Sequence, residues 1–187
     1  MKIAVLAVQG AFIEHIHKLE ALGAECVELR QKSDLGQQFD GIVLPGGEST
    51  VQGKLLHELD MFDDLSERIK GGLPVLATCA GLILLAEEIE GKDNPCFGTL
   101  PVTVKRNAYG RQLGSFFMEG EFAGIGIVPM EFIRAPYIAK ASDDVEILAM
   151  ENDHIVAVRY KNQLAMAFHP ELCDDDRIHK EFLRMTR

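Results

Sequence analysis

Along the first half of the chain, apolar residues fall in short unbroken runs separated by stretches with helical spacing. Lys2–Val8 is nearly all apolar and too short to stand as a helix. A run of that kind predicts a strand buried on both faces, as in a parallel sheet. Phe12, Ile16, Leu19 and Leu22 then recur at helical spacing, which places one apolar stripe on a helix over Phe12–Leu22. Gly23 is its natural C-cap. Glu25–Leu29 reads as a second strand, so the chain opens as a βαβ unit. Gly41–Leu44 is a third strand. Leu55–Leu59 and Met61–Ile69 read as one or two amphipathic helices ended by Gly71-Gly72. Pro74–Ala77 is a fourth strand, followed by a helix-like apolar run, Leu82–Ala86. Apolar strands alternating with helices predict an α/β fold with a doubly wound, mostly parallel sheet.

After Ala86 the pattern changes. Glu87–Asn94 reads as a charged turn region. Gly98–Arg106, Gly114–Glu121, Met130–Ile133, Val145–Met150, Ile155–Tyr160 and Gln163–Phe168 read as strands. The Gly-rich stretch Gly120–Gly126 reads as a loop, and Lys161-Asn162 as a turn. This half predicts an antiparallel or mixed extension of the sheet. A helix over roughly Asp175–Met185 closes the chain, with acidic residues at its start and Arg184 near its end, as the helix dipole favours. No repeat, low-complexity segment or linker divides the sequence, so residues 1–187 are expected to form one domain.

Composition narrows the partners. The chain has 187 residues, 47% hydrophobic and 26% charged, with a formal net charge of −10. That charge argues against nucleic acid or an anionic membrane as partner and leaves a basic protein partner open. No apolar run approaches the roughly 18 residues needed to span a bilayer, and because the first residues already read as a strand, no cleavable leader is expected. The cytoplasm is the expected compartment. The four cysteines, Cys26, Cys79, Cys96 and Cys173, form no C-x-x-C, which disfavours a zinc knuckle or a redox dithiol.

Three stretches carry candidate chemistry. The first is Leu73–Gly81, L-P-V-L-A-T-C-A-G, which reads as strand, sharp turn and helix with Cys79 at the apex. This is the arrangement of a nucleophile elbow, where backbone N–H groups and a helix N-terminus favour a thiolate. A small cysteine filling a core is the alternative. The second is Pro45–Thr50, P-G-G-E-S-T, at the end of the third strand. Its glycines put backbone N–H groups where a ligand oxygen can sit, and Ser49 or Thr50 can cap the helix that follows. An ordinary tight turn is the alternative. The third is His169-Pro170-Glu171. In an extended segment residues two apart share a direction, so Glu171 could orient His169, and His169 could take the proton of Cys79. His15, His17, His57, His154 and His179 compete as the base; His15 and His17 lie on a helix near a strand's carboxyl end, while His57 and His179 are expected to face solvent. No metal-ligand spacing, dinucleotide fingerprint or phosphate loop occurs, so neither a metal nor a cofactor is expected.

Over essentially its whole length the chain resembles the class I, triad-type glutamine amidotransferases. Within them it is similar to the PdxT/SNO family, the glutaminase subunits of two-subunit pyridoxal 5'-phosphate synthases. The resemblance rests on Ala7–Phe12 with Glu14-His15, Pro45–Thr50, Thr78–Gly81, Arg106–Gln112 with Ser115-Phe116, Phe132–Pro136 and Phe168–Leu172, in this order. One departure is Ala77, where the broader superfamily usually has glycine.

The resemblance implies hydrolysis of L-glutamine to L-glutamate and ammonia. Cys79 would be the nucleophile, His169 the general base and Glu171 its orienting carboxylate. Backbone N–H groups of Gly47 and Ala80 would form the oxyanion hole. Gly46, Gly47, Glu48, Ser49, Arg106, Arg134 and Ala135 would bind substrate. The partner implied is a synthase subunit that receives the ammonia through a tunnel. Poor activity of the isolated chain is expected, with the partner ordering the glycine turn. A catalytically silent regulatory subunit of the same fold is the alternative.

Overall fold

The computed structural model describes residues 1–91, 96–106 and 114–187. The apolar runs of the first half are strands β1 (Lys2–Leu6), β2 (Glu25–Leu29), β3 (Gly41–Leu44) and β4 (Val75–Thr78). Between them stand helices α1 (Phe12–Ala21), α2 (Ser49–Glu58) and α3 (Phe62–Lys70), and a short α4 (Ala80–Leu85) follows β4. Every residue of β3 and β4 is buried, which is what helices on both faces of a parallel sheet produce. Leu22 is the C-cap of α1, and Gly23 takes the left-handed conformation (φ 86°) that glycine adopts without a Cβ clash.

The later strands are β5 (Ala86–Ile89), β6 (Leu100–Lys105), β7 (Ser115–Phe122), β8 (Gly126–Ile133), β9 (Tyr137–Ala141), β10 (Glu146–Glu151), β11 (His154–Tyr160) and β12 (Gln163–Met166). Helix α5 (Arg177–Met185) closes the chain. The main sheet runs β2-β1-β3-β4-β12-β11-β9-β6-β5, with β10 paired to β11. From β2 to β12 all pairings are parallel. Strands β11, β9 and β6 then pair antiparallel, and β5 returns parallel on β6. The predicted mostly parallel α/β sheet with a mixed extension is therefore the observed fold.

Strand β12 is the long-range event that matters most. It comes from the far end of the chain, yet lies parallel beside β4 with Met166 opposite Thr78. The carboxyl ends of β1, β3, β4 and β12 thus form one edge, where loops of an open α/β sheet meet ligands.

Three local expectations are corrected, and one further strand is found. Ala86–Ile89 is a strand, where Glu87 onward reads as a charged turn. Glu87 and Glu88 are exposed while Ala86 and Ile89 are buried, so one strand presents acidic side chains to solvent and still pairs with β6. Gly120–Gly126 is not a loop throughout: β7 runs to Phe122 and β8 starts at Gly126, joined in a hairpin whose register is unbroken from Ser115 opposite Ile133 to Phe122 opposite Gly126. Strand β9, Tyr137–Ala141, carries no strong apolar run and stands between β11 and β6. Finally, His179 is fully buried rather than solvent-facing, on the inner stripe of α5 with Ile178, Phe182 and Leu183.

Candidate active site

Cys79 leaves β4 in a backbone conformation that L-residues rarely hold, φ 46° and ψ −98°, and serves as the N-cap residue of α4. A non-glycine residue at positive φ costs of order 1–3 kcal/mol and persists only where its surroundings enforce it. Here they do. The Cys79 N–H donates to Met166 O of β12 at 2.8 Å. Gly81 lies so close to the Leu44 carbonyl that any Cβ would overlap it, so α4 packs directly on β3. The result is a sharp strand-to-helix turn with the cysteine at its apex.

His169 and Glu171 follow β12. The pair does not lie on extended backbone, as the simple two-residue period supposes. Pro170–Leu172 forms a turn of 3₁₀ helix with proline at its first position, and the fixed proline dihedral suits that start. The turn brings Glu171 Oε1 to 2.6 Å from His169 Nδ1. The Cys79 thiol and the His169 ring line the same cavity. The Cε1 corner of the ring lies so close to Gly46 that a side chain there would collide with it. Both side chains are nearly inaccessible, and that of Glu171 is wholly so.

Burial and partners set the charges. Burial disfavours the His169 imidazolium, but the Cys79 and Glu171 hydrogen bonds and charges outweigh it and push its pKa up to about 10. These partners favour the protonated ring. Burial likewise disfavours the Glu171 carboxylate, while His15 and His169 together hold its pKa below the usual value. Burial pushes Cys26 up to about 11 and Cys96 to about 12, and it raises Cys173.

The triad opens on a cavity of about 330 Å³, a size suited to one amino acid. Gly46, Gly47, Glu48, Ser49, Cys79, Arg106, Arg134 and His169 all line it. Ala80 and Ala135 are buried beside it, at the start of α4 and just after Arg134. Arg134 itself has a left-handed backbone (φ 45°), and its N–H bonds to Gly114 O. The glycine turn is held from several sides. Gly46 O accepts from Ala11 N–H at 3.0 Å, which fixes the plane of the peptide carrying the Gly47 N–H. The Glu48 N–H donates to Gln9 Oε1 at 2.8 Å.

Helix α2 is capped by Glu48, not by Ser49 or Thr50. Its carboxylate accepts from Thr50 N–H at 3.1 Å and Val51 N–H at 2.8 Å. Arg106 meets the same carboxylate at 3.0 Å and the Thr50 hydroxyl at 3.2 Å. Burial tends to raise the Glu48 pKa, but the two backbone N–H bonds and the Arg106 charge bring it below the usual range. Arg106 thus stands at the cavity wall already engaged with Glu48. Within the resembling segment Arg106–Gln112, positions 107–112 lie outside the described residues.

Sequence reasoning did not single out Gln52, which is fully buried. Its Nε2 donates to Gln9 O at 2.9 Å and Pro45 O at 3.2 Å, tying the β1 and β3 loops together. The signal was a polar residue on the inner face of an amphipathic helix. Of the competing histidines, His17 and His57 are exposed, and His154 stacks on Tyr137 at 4.0 Å. Among the described residues no group of three His, Cys, Asp or Glu could hold a metal ion.

Comparison with known proteins identifies the family and the fold. Residues 5–187 match the SNO glutamine amidotransferase family. The chain is 64% identical over 183 residues to "Pyridoxal 5'-phosphate synthase subunit PdxT" of Desulfitobacterium hafniense, covering 98% of this chain and 92% of that one. It is 52% identical to the protein of the same name from Streptococcus pneumoniae, covering 100% and 98%. A solved structure described as "Crystal structure of glutamine amidotransferase" superposes with a TM-score of 0.93 at 43% identity, over 98% of each chain. The structure of PurLQS from Thermotoga maritima shares the fold at a TM-score of 0.70 and 16% identity, over 99% of this chain and 96% of that one.

Proposed function

Since the chain belongs to the SNO glutamine amidotransferase family, we propose that it is the glutaminase subunit of a pyridoxal 5'-phosphate synthase, with Cys79, His169 and Glu171 as its catalytic triad. The observation that supports this reading most is that Cys79 and His169 line one cavity of amino-acid size, with Glu171 Oε1 2.6 Å from His169 Nδ1.

The chemistry follows from the charges. An imidazolium beside the sulfur stabilises the thiolate, which attacks the γ-carboxamide carbon of L-glutamine. The carbonyl oxygen becomes an oxyanion, and the N–H groups of Gly47 and Ala80 are the donors assigned to it; one such donor contributes about 3–4 kcal/mol. His169 then passes its proton to the departing nitrogen, so ammonia leaves and a γ-glutamyl thioester remains on Cys79. Water adds to the thioester with His169, now neutral, taking its proton. Collapse releases L-glutamate and restores the thiolate and imidazolium. Glu171 keeps the His169 Nδ1–H in place throughout.

Substrate is held by its amino-acid end. Arg134 is exposed at the cavity and offers a fork for the α-carboxylate. Arg106 and Glu48, with Ser49, complete the polar wall, and substrate binding redistributes their ion pair. The ammonia goes to the synthase subunit, the partner this reading assigns. Among the described residues no helix is long and apolar enough to cross a membrane.

Ammonia release from glutamine tests the proposal, measured with and without the synthase subunit. Cys79→Ala and His169→Asn should each abolish release in the complex, while the wild-type chain alone should be slower than the complex. Full activity of Cys79→Ala would remove the triad.

A further inference from the structure

Behind the triad lies a second histidine pair that the reaction as described does not use. His15 on α1 and His179 on α5 come from opposite ends of the chain, and both have no exposed surface. His15 Nδ1 stands 3.0 Å from His179 Nε2. His15 Nε2 stands 3.3 Å from Glu171 Oε2 and 3.2 Å from the Thr78 hydroxyl. Glu171 Oε2 is itself buried with no donor in good alignment among the described residues, and so is His179 Nδ1 without a partner.

The proton positions follow from this arrangement. A carboxylate only accepts. With the Glu171 oxygen and the threonine oxygen both before it, His15 Nε2 is the nitrogen that carries the proton. His15 Nδ1 is then a lone pair, and it takes the proton of His179 Nε2–H. His179 Nδ1 is left as a bare lone pair, which fits its lack of a partner. The opposite arrangement would bury an N–H at His179 Nδ1 with nothing to receive it, and would turn a lone pair on His15 toward a carboxylate. Both would be costly in a dry interior. Burial holds both rings neutral, lowering the pKa of His15 and lowering that of His179 well below the usual value. The other charged groups acting on His15 are His169 and, from its own helix, Glu14 and Lys18; Lys18 is drawn away to Asp176 Oδ1 at 3.0 Å.

Resting on the triad reading above, the geometry points to His15 as a positioning residue: its Nε2–H, fixed on that nitrogen by His179, steadies the distal oxygen of Glu171 so that the near oxygen stays on His169 Nδ1. Glu171 has one strong donor on Oε1, and its buried Oε2 has no aligned hydrogen bond, so the His15 Nε2–H at 3.3 Å acts on it through its dipole. Without His15 the carboxylate is free to rotate, or to take up a proton, and either change weakens its hold on the imidazolium. The partner of a reacting histidine is commonly oriented by such outer groups. His15 touches neither substrate nor sulfur in this scheme, so its loss should appear in turnover and in the titration of His169, not in glutamine binding.

The test compares His15→Phe, which keeps a ring and loses the donor, with His15→Gln, whose side-chain amide can place a donor near the lost Nε2. Both are assayed for ammonia release in the complex with the synthase subunit, and His169 is titrated by ¹⁵N NMR. His15→Phe should lower kcat by about 10–100-fold, leave KM for glutamine within about threefold, and lower the His169 pKa. His15→Gln should recover most of both. Unchanged kcat and His169 titration in a folded His15→Phe would overturn the proposal, as would a loss confined to KM or no recovery in His15→Gln. If neither variant folds, the wild-type ¹⁵N spectrum decides: a proton on His15 Nε2 supports the proposal, and a proton on His15 Nδ1 refutes it. That spectrum is independent of glutaminase activity, so it separates failure here from failure of the triad.

Discussion

Glu171 is a carboxylate with no exposed side-chain surface, kept ionised by His169 on one oxygen and His15 near the other. Its work is to hold a proton on one nitrogen of His169, which a neutral amide does far less well. Glu171→Gln should therefore lower kcat by on the order of 10²–10⁴, with KM nearly unchanged, and should bring the His169 pKa down from about 10. Steady-state ammonia release and a ¹⁵N titration check the two halves of that statement. The triad residues could be picked out from sequence because each has a local mark: a cysteine between a strand and a helix, and a histidine two residues before a glutamate. The second mark acts through a 3₁₀ turn rather than extended backbone, and that turn brings the pair together. His179 had no such mark. On α5 it occupies an inner position with Ile178, Phe182 and Leu183, and a polar residue there reads as solvated unless its partner, 164 residues away, is known.

At the scale of elements, the site depends on α4 sitting tight against β3. Gly81 is the contact point, since its backbone meets the Leu44 carbonyl directly. Gly81→Ala should lift the start of α4, displacing Ala80 and the Cys79 turn together. It should cost about 1–3 kcal/mol of stability, read from urea midpoints, and should lower kcat by more than KM changes. An unaltered midpoint would show that α4 can move aside freely. The parallel strands were legible because burial on both faces leaves short unbroken apolar runs. The second half was less so. Strand β5 is half acidic, and β7 and β8 carry glycines inside a hairpin, so pairing rather than composition makes them strands. The neighbours of β12 were not legible at all, because the parallel pairing of Gln163–Met166 with Val75–Thr78 leaves no local trace.

For the whole molecule, the buried histidines tie folding to pH. His15 and His179 resist protonation in the fold, whereas the unfolded chain protonates both below about pH 6.5. The unfolded state then binds more protons, so stability falls as pH drops through that value. Each such proton contributes a slope of about 1.4 kcal/mol per pH unit. Glu171, with its lowered pKa, adds the same sign below about pH 4.5. His169, raised to about 10, is protonated in both states below pH 6.5 and adds nothing on that side. Urea midpoints between pH 7 and pH 5 should fall, and His179→Phe should remove about one proton's worth of the slope; an unchanged slope would mean that His179 titrates normally in the fold. The same fold gathers β3, β4 and β12 so that one sulfur faces one cavity. The most direct measurement is an acid-quenched single turnover of the complex with glutamine, followed by mass analysis of the peptides. The account predicts one γ-glutamyl group, carried on Cys79. Turnover with the acyl group on another residue, or with none formed, would contradict it.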